Sequence, residues 1–367
     1  MIIVRSRPSQ ATHEHVIKMA LRRLASNLVM AARPIQQQMR NYRAAVLTEF
    51  GKALEVQELK SKQLGDHEVR VNVYNCGVNA SDILTCQGVY ENLPQLPFVP
   101  GFEFSGEVTE VGSQVTSVQK GGRVIGLQST GSGGFAEEIV SHVADLFPVD
   151  NSLEFEAGAS LADTYATALL GLQRRAALQR GDTVLVTAAA GGLGLAAVDL
   201  AANVFKCQVI AVCGTEDKAS LVREKGAFAA LGYHRDHLRH KVHEVAGERG
   251  IKVIFDAVGG EVFEEAIKCV AHEGKVIVAG FASRTVPHVA TSALLPRSFA
   301  LIGLSLRHYR EADNAVFRQA VLDVIELHEA GLIAPHVSAQ FPLDEVNQAL
   351  SFISERKSTG KVLLDIR

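Results

Sequence analysis

The length, composition and charge of the chain are those of an ordinary globular protein with more than one domain. Of its 367 residues, 47% are hydrophobic and 21% are charged, and no apolar stretch is long enough to predict membrane insertion. The net charge is −3, but residues 1–40 carry +6, so the remaining residues carry −9. A negative net charge over residues 41–367 argues against nucleic acid as a partner.

The first 40 residues form a basic segment with helical periodicity. They contain seven basic side chains and a single acid, Glu14, and the apolar residues from Val16 to Leu28 fall on one side of a helical wheel. An amphipathic, Arg-rich N terminus with few acids is typical of a mitochondrial transit peptide. We therefore expect residues 1–40 to direct the protein to the mitochondrial matrix, with a surface extension of a cytoplasmic protein as the alternative.

Short strands and frequent turns from residue 42 onwards predict an irregular β-domain. Apolar and polar residues alternate in Glu68–Asn75, and the Gly and Pro residues between Gly88 and Gly106 indicate long loops. The strands expected here are 43–47, 55–59, 68–75, 108–111, 123–127 and 135–140. A helix over 154–177 follows them.

A glycine-rich turn between two apolar strands organises the second part of the chain. Thr183–Thr187 predicts a strand, Leu195–Val204 a helix and Gln208–Val212 a second strand, which make a β-α-β unit. The turn reads Ala-x-Gly-x-x-Gly from residue 189 to 194, with alanine in place of the first glycine of the usual fingerprint. Such a turn lets the backbone and the helix N terminus approach a pyrophosphate. The residues expected to bind it are Ala190, Gly191, Gly192, Leu193 and Gly194.

The remaining elements predict a doubly wound sheet. Strands are expected at 229–232, 252–256, 275–280 and 300–303, and strands that alternate with helices at this spacing imply parallel pairing. A long helix over 315–330 and a terminal strand over 361–366 are expected to pack back on the first domain. The predicted boundaries are a transit peptide over 1–40, a catalytic domain over 41–165 completed by 305–367, and a nucleotide-binding domain over 166–304.

Five motifs occur in the order in which they occur in one protein family. They are Gly77–Asp82, Gly88–Tyr90, Pro97–Gly106, the glycine-rich turn and Ser358–Val362. From about residue 42 to its C terminus the chain resembles the zinc-independent quinone oxidoreductases of the medium-chain dehydrogenase/reductase superfamily. The resemblance implies an α/β protein in which a GroES-like irregular β-domain is joined to a doubly wound Rossmann domain. It also implies a homodimer whose nucleotide-binding domains meet edge to edge near 300–304.

Zinc is not expected. Zinc alcohol dehydrogenases carry their ligands at positions that correspond here to Asn79, Phe102 and roughly Asp163, and one carboxylate cannot replace three protein ligands. The five cysteines include no Cys-x-x-Cys pair. Histidines at every third position from 234 to 243 are expected on a solvated helix face or loop. The alternative, a zinc alcohol dehydrogenase, would require metal in the purified protein.

The end of the second strand favours NADPH over NADH. An NAD site usually has an acid there for the ribose 2′-hydroxyl, and that acid would repel a 2′-phosphate. This chain has Thr215 and Lys218 instead, although Glu216 and Asp217 complicate the charge balance. The resemblance places Tyr233 beside the 2′-phosphate or the ribose, with a position in the core as the alternative.

The resemblance also implies the rest of the cofactor and acceptor sites. The residues implied at the cofactor are Asn79, Thr167, Gly280, Phe281 and Lys361. Phe281 has a core position as its alternative. Asn79 and Tyr90 are the polar groups expected beside the acceptor. No acid–base dyad is visible, so no catalytic side chain is predicted and solvent can deliver the proton.

The sequence therefore predicts reduction of a quinone or an α,β-unsaturated carbonyl compound by hydride transfer from NADPH without zinc. The protein would orient the acceptor, stabilise the negative charge that develops on oxygen and exclude water. The alternative is an NADPH-binding structural or regulatory protein with little catalysis. Tight NADPH binding without turnover would support that alternative.

Overall fold

Three β-sheets organise residues 41–367, which form a single unit: a mostly antiparallel sheet of seven strands, a parallel sheet of six strands and a two-stranded antiparallel sheet. The computed structural model describes residues 40–129, 131–233 and 238–367. The predicted transit peptide, apart from Arg40, lies outside the described residues, and so do His234 and His237. None of the helices in the described ranges has the length and hydropathy that crossing a bilayer requires.

Fifteen strands and nine α-helices are found within these described ranges. The strands are β1 (Asn41–Val46), β2 (Glu55–Lys60), β3 (Glu68–Val78), β4 (Glu103–Val111), β5 (Arg123–Leu127), β6 (Glu138–His142), β7 (Leu146–Val149), β8 (Thr183–Val186), β9 (Gln208–Cys213), β10 (Ala229–Gly232), β11 (Ile251–Asp256), β12 (Val270–Val278), β13 (Ala300–Gly303), β14 (Val337–Pro342) and β15 (Lys361–Asp365). The helices are α1 (Ala80–Cys86), α2 (Phe155–Leu169), α3 (Gly192–Asp199), α4 (Glu216–Glu224), α5 (Leu238–Ala246), α6 (Gly260–Ala266), α7 (Leu306–Ala312), α8 (Asn314–Glu329) and α9 (Val346–Ser354).

The first sheet has the strand order β14-β15-β3-β4-β5-β7, and β6 pairs with β3. Its central strand β3 alternates as predicted, because Val69, Val71 and Val73 are fully buried on one face. The C-terminal strand β15 pairs antiparallel with β3, with Val362 opposite Val78. The end of the chain is thereby built into the sheet that the N-terminal part begins.

The second sheet is parallel throughout, with the order β10-β9-β8-β11-β12-β13. Numbered within this domain the order is 3-2-1-4-5-6, and it reverses direction between β8 and β11, where such folds bind their ligands. Helices cover both faces, which is why the strands are nearly continuous apolar runs. This sheet confirms the predicted α/β class.

The last turns of two predicted helices are π-helical instead of α-helical. Helix α2 continues as a π-helical segment over Leu170–Arg175, and α3 continues over Leu200–Val204. In the first segment a Cβ on Gly171 would lie 2.8 Å from the ring of Phe255, so the glycine permits close packing against β11. The periodicity predicted the last residue of both helices to within two positions, but not this change in winding.

Residues 331–360 contain two elements that the sequence did not predict. Strand β14 pairs in parallel with β15, and α9 packs on both strands. On α5, by contrast, the prediction of a solvated face is confirmed for His240, whose exposed ring lies 3.3 Å from Glu244.

Candidate active site

The glycine-rich turn lies between the carboxyl end of β8 and the start of α3. Gly191 is the N-cap of α3, and a Cβ on Gly194 would overlap the carbonyl oxygen of Ala188. The left-handed residue of the turn is Ala188, with φ of 46°, whereas Ala189, at the first position of the fingerprint, is fully buried. The turn leaves the first N–H groups of α3 without helical partners, as a pyrophosphate site needs.

The C-terminal motif lies against this turn. The Gly360 N–H donates to the Ala190 carbonyl at 2.8 Å, and Gly360 forms an isolated bridge with Gly191. Gly360 has φ of 58°, and a Cβ there would overlap the carbonyl oxygen of His336. Only glycine therefore fits at this point of contact.

Lys361, the next residue, directs its ammonium into a buried cluster. Its Nζ donates to Asn79 Oδ1 at 2.5 Å and to Glu103 Oε2 at 2.6 Å, and Asn79 Nδ2 also donates to Glu103 Oε2 at 3.0 Å. Lys361 and Glu103 are 4% and 0% exposed. Since the ammonium is engaged here, Lys361 offers the glycine-rich turn its backbone and its aliphatic stem.

Asp82 fixes the position of Asn79. Its carboxylate accepts from the Asn79 N–H at 2.9 Å and from the Gly101 N–H at 3.1 Å, which joins the first and third sequence motifs. Burial raises the pKa of Asp82 to about 6, while these two hydrogen bonds act in the opposite direction. Asn79 is thus held on both sides, by Asp82 and by Lys361.

Glu103 was not among the predicted site residues. Its second oxygen accepts from the Asp163 N–H at 2.9 Å, so it connects β4 with α2. The available signal was its position as the only charged residue in the motif Pro97–Gly106. A lone acid in an apolar segment requires a buried partner, and Lys361 is that partner.

Asp163 and Tyr90 lie next to this cluster. Burial, followed by the charge of Glu103, raises the pKa of Asp163 to about 7. The Arg307 guanidinium lies 5.9 Å from the centre of the Tyr90 ring, and burial raises the pKa of the Tyr90 phenol. Tyr90 is therefore uncharged at neutral pH and available as a donor.

The residues predicted near the nicotinamide lie on α2 and on the loop after β12. Thr167 is buried on α2. The loop with Gly280 and Phe281 is held by backbone hydrogen bonds to the end of β11, including one from Ala279 to Asp256 at 2.8 Å. Phe281 is 42% exposed, so the alternative of a core position is wrong for this residue.

The residues predicted for the 2′-phosphate meet at the end of β9. Thr215 is exposed and is the N-cap of α4, and the Tyr233 N–H donates to the Cys213 carbonyl at 3.1 Å. Lys218 Nζ donates to the Arg356 carbonyl at 2.8 Å, and burial lowers the pKa of Lys218. Arg356 was not predicted, because it is 138 residues away from Lys218 in the sequence and only the fold brings the two together.

Metal ligands do not cluster in the described ranges. Nowhere in them do three or more His, Cys, Asp or Glu side chains come close enough together to hold a metal ion. Of the positions that correspond to zinc ligands in zinc alcohol dehydrogenases, Asn79 and Asp163 flank Glu103, and Phe102 precedes it.

Comparisons with known proteins agree with both domains. Residues 65–151 match the family model of the alcohol dehydrogenase GroES-like domain, and residues 192–326 match that of the zinc-binding dehydrogenases. Quinone oxidoreductase-like protein 2 of Bos taurus is 42% identical over 328 residues, which are 89% of this chain and 93% of that protein. A homolog of that protein from Nematostella vectensis is 46% identical over 330 residues, 89% of this chain and 90% of the homolog.

The chain belongs to the quinone oxidoreductase-like proteins of the medium-chain dehydrogenase/reductase superfamily. Among solved structures, a mycobacterial protein in complex with NADPH superposes with a TM-score of 0.81 at 29% identity, over 89% of this chain and all of that one. The resemblance drawn from the motifs is confirmed, and so are the GroES-like and Rossmann folds. This quinone oxidoreductase-like protein is an oxidoreductase of a family that binds nicotinamide cofactors, as the sequence predicted.

Proposed function

We propose that this quinone oxidoreductase-like protein reduces quinones or α,β-unsaturated carbonyl compounds with NADPH, by direct hydride transfer and without zinc. The observation that carries the proposal is the contact of the consecutive residues Gly360 and Lys361 with two different sites. Gly360 binds the glycine-rich turn, and Lys361 enters the buried cluster with Asn79 and Glu103. A dinucleotide site and a polar, buried site are thus held side by side, as hydride transfer requires.

The residues present fit NADPH, which supplies the hydride when it is bound. The glycine-rich turn and the free N–H groups of α3 would hold the pyrophosphate. Lys218 and Arg356 provide two cations for a 2′-phosphate, and Thr215 provides a hydroxyl. Glu216, which complicated the choice, pairs with Arg223 at 2.8 Å, so its charge is partly compensated. This balance favours NADPH over NADH.

On the acceptor side, we assign the hydrogen-bond donors to Asn79 and Tyr90. One N–H of Asn79 Nδ2 donates to Glu103, which leaves the second for an acceptor oxygen. The Lys361 ammonium in the same cluster stabilises the negative charge that develops on this oxygen. Burial of the cluster keeps out water, which makes this electrostatic contribution larger than it would be in solvent.

Independence from zinc is supported by the cation that is already present. The Lys361 ammonium binds both Asn79 and Glu103, and those side chains would have to release it to bind a metal. A second cation beside this buried ammonium would be repelled at close range. The mechanism therefore relies on the protein's own donors for charge stabilisation.

The proposal is tested by measuring NADPH oxidation by the purified protein with a panel of ortho-quinones and enones. NADH and chelator-treated protein serve as controls. Turnover that prefers NADPH and is insensitive to the chelator is the expected result. NADPH binding without turnover on any acceptor would favour a binding protein, and loss of turnover after chelation would refute the zinc-free mechanism.

A homodimer formed through β13 is a further part of the proposal. This strand is at the edge of the parallel sheet, and its Leu301 is 40% exposed. An exposed apolar edge strand is usually covered, and pairing with a second copy would cover it. Light scattering should show a dimer for the protein and a monomer for Leu301→Lys. A monomeric wild-type protein would refute this arrangement.

Mitochondrial targeting by residues 1–40 is likewise proposed, on the basis of their basic, acid-poor composition. A fluorescent protein carrying these residues should enter mitochondria, and replacement of Arg22 and Arg23 by Glu should prevent import. Retention of the unmodified fusion in the cytoplasm would contradict the proposal.

A further inference from the structure

Asp163 differs from the other carboxylates of the candidate active site in having no partner. Asp82 accepts two backbone N–H groups, and Glu103 accepts from Lys361, from Asn79 and from the backbone of Asp163 itself. No hydrogen bond or ion pair from the described part of the chain reaches the carboxyl of Asp163, a residue that is partly exposed as a whole although burial of its carboxyl raises the pKa. Its oxygens are therefore available to a ligand.

The charges around Asp163 determine which acid carries a proton. The groups that act on its carboxyl from neighbouring elements are Glu103 on β4, Asp82 on α1, Lys361 on β15, Arg310 on α7 and Tyr90 in the loop after α1. The Lys361 ammonium is bound to Glu103, and Arg310 lies 3.6 Å from Asp145 and donates to the Leu127 carbonyl. The carboxyls of Asp82, Glu103 and Asp163 are therefore compensated by few nearby positive charges.

Of these three carboxyls, Asp163 is the one without hydrogen bonds that stabilise its ionised form. Hydrogen bonds to a carboxylate favour ionisation, and Asp82 accepts two of them from backbone N–H groups. A carboxyl next to like charges and without such donors is protonated first. The upward pKa shift of Asp163 agrees with this order.

Helix α2, which carries Asp163, packs against elements of both proposed sites. Helix α2 packs against β3 and β4 on the side of the buried cluster of Asn79, Glu103 and Lys361. It packs against α3 on the side of the glycine-rich turn. Thr167, implied at the nicotinamide, follows Asp163 by four residues and therefore lies on the same face of the helix. Tyr90, assigned to the acceptor, lies within electrostatic reach of the Asp163 carboxyl.

We propose that neutral Asp163 donates a proton to the oxygen of the reduced acceptor. This inference rests on the proposed function and replaces solvent, which the sequence alone suggested, as the immediate proton source. Tyr90 and Asn79 retain their roles as hydrogen-bond donors to the acceptor.

The step balances in atoms and electrons. The hydride that bound NADPH would supply is a hydrogen with the electron pair of the nicotinamide C–H bond that breaks. It forms an O–H bond with one carbonyl oxygen of the quinone, and the other carbonyl oxygen becomes negatively charged. The O–H bond of Asp163 then breaks, the proton forms a new O–H bond with that oxygen, and the electron pair stays on the Asp163 carboxylate. Solvent protonates Asp163 again, so one turnover converts NADPH, one proton and the quinone into NADP⁺ and the quinol.

The kinetic test compares Asp163→Asn with Asp163→Glu and with a matched control, Asp145→Asn. Asp145 is also a carboxylate beside Arg310, but it accepts two hydrogen bonds from Ser129, whereas the Asp163 carboxyl accepts none from the described residues. For Asp163→Asn we expect kcat to fall by about 100-fold with little change in KM, because general acids contribute at least about that much. The decrease of wild-type kcat at alkaline pH should also disappear in Asp163→Asn. Asp163→Glu should recover most of the rate, and Asp145→Asn should keep it.

An infrared measurement on the cofactor-free protein tests the protonation state without any turnover. The wild type should show the C=O stretch of a protonated carboxyl that disappears as the pH is raised through neutrality. The part of this band that titrates at about pH 7 should be lost in Asp163→Asn and kept in Asp145→Asn, whereas Asp82, whose pKa is raised to about 6, contributes a part that stays in both variants.

A failure of the donor role of Asp163 and a failure of the proposed function would give different results. A wild-type enzyme that turns over while Asp163→Asn keeps the same kcat and pH profile would overturn the donor role and leave the proposed function intact. A carboxyl band that persists unchanged in Asp163→Asn would also overturn it. Failure of the wild type to reduce any acceptor would overturn the proposed function itself, whatever the infrared band shows.

Discussion

Replacement of Lys361 by Met tests whether the buried ion pair holds the candidate active site together. The side chains of Lys361 and Glu103 are 5% and 0% exposed, and their Nζ and Oε2 atoms are 2.6 Å apart. Methionine fills most of the lysine stem, so little cavity forms. The cost comes from a Glu103 carboxylate left buried without its cation. Loss of one partner of such a pair lowers the free energy of unfolding by about 3–5 kcal/mol.

The loss should depend on pH in a defined direction. In Lys361→Met, a proton on Glu103 removes the uncompensated charge, so the folded state binds this proton more tightly than the unfolded chain does. The free energy of unfolding of the variant must then decrease as the pH rises above about 4.3, the pKa of an unfolded Glu. The deficit relative to wild type is therefore expected to be smaller at about pH 5 than at about pH 8.

The assay is urea denaturation of the cofactor-free protein followed by circular dichroism. The matched control is Lys357→Met, because Lys357 and Glu355 also lie 2.6 Å apart but are 60% and 53% exposed. An exposed pair of this kind contributes at most about 1 kcal/mol. The double variant Lys361→Met/Glu103→Gln removes both charges and should recover part of the loss. A Lys361→Met deficit no larger than that of the control, or one independent of pH, would refute this reasoning.

Three further changes test the turn and the helix that supports it. Gly194→Ala should lose about 1–3 kcal/mol and bind NADPH more weakly, because its Cβ overlaps the Ala188 carbonyl, whereas Gly214→Ala, where space is open, should lose little in denaturation and fluorescence titrations. Ala188→Gly should gain up to about 1 kcal/mol, since glycine adopts φ of 46° without strain, and a loss would contradict this conformation. Tyr165→Phe should lose about 1.5–3 kcal/mol, because its hydroxyl donates to buried Asp199 at 2.8 Å, and an unchanged denaturation midpoint would contradict that estimate.

The parallel sheet could be predicted because its signals are local. A strand buried on both faces is an apolar run, as in Val184–Val186, and the glycines that follow mark a sharp turn before a helix. The predicted strand over 208–212 differs from β9 by one residue. In contrast, β14 includes polar residues and is only partly buried, so it has no clear pattern of its own. Its place in the sheet comes from pairing with β15.

The polar cluster could be predicted only in part because its contacts are distant in sequence. The motifs indicated Asn79 and Lys361 separately, but the ion pair of Lys361 with Glu103 joins residues that are 258 positions apart. The correspondence with zinc-ligand positions served to exclude zinc and did not predict Asp163 as a site residue, although the Asn79 amide and the Asp163 N–H both donate to Glu103 in the structure. The sequence also did not indicate Glu103, the acid that brings Asn79, Asp163 and Lys361 together.

The sequence order Gly360-Lys361 connects the two halves of the proposed reaction through one peptide bond. The Gly360 N–H binds the turn on which a dinucleotide would lie, and the Lys361 ammonium binds the Asn79 that would face the acceptor. A displacement of this segment must therefore move both sites, because Gly360 has no room for a Cβ and Lys361 is buried. Variants that break the ion pair should accordingly weaken NADPH binding as well as acceptor turnover. If NADPH affinity stayed unchanged in Lys361→Met, the two sites would be independent despite this connection.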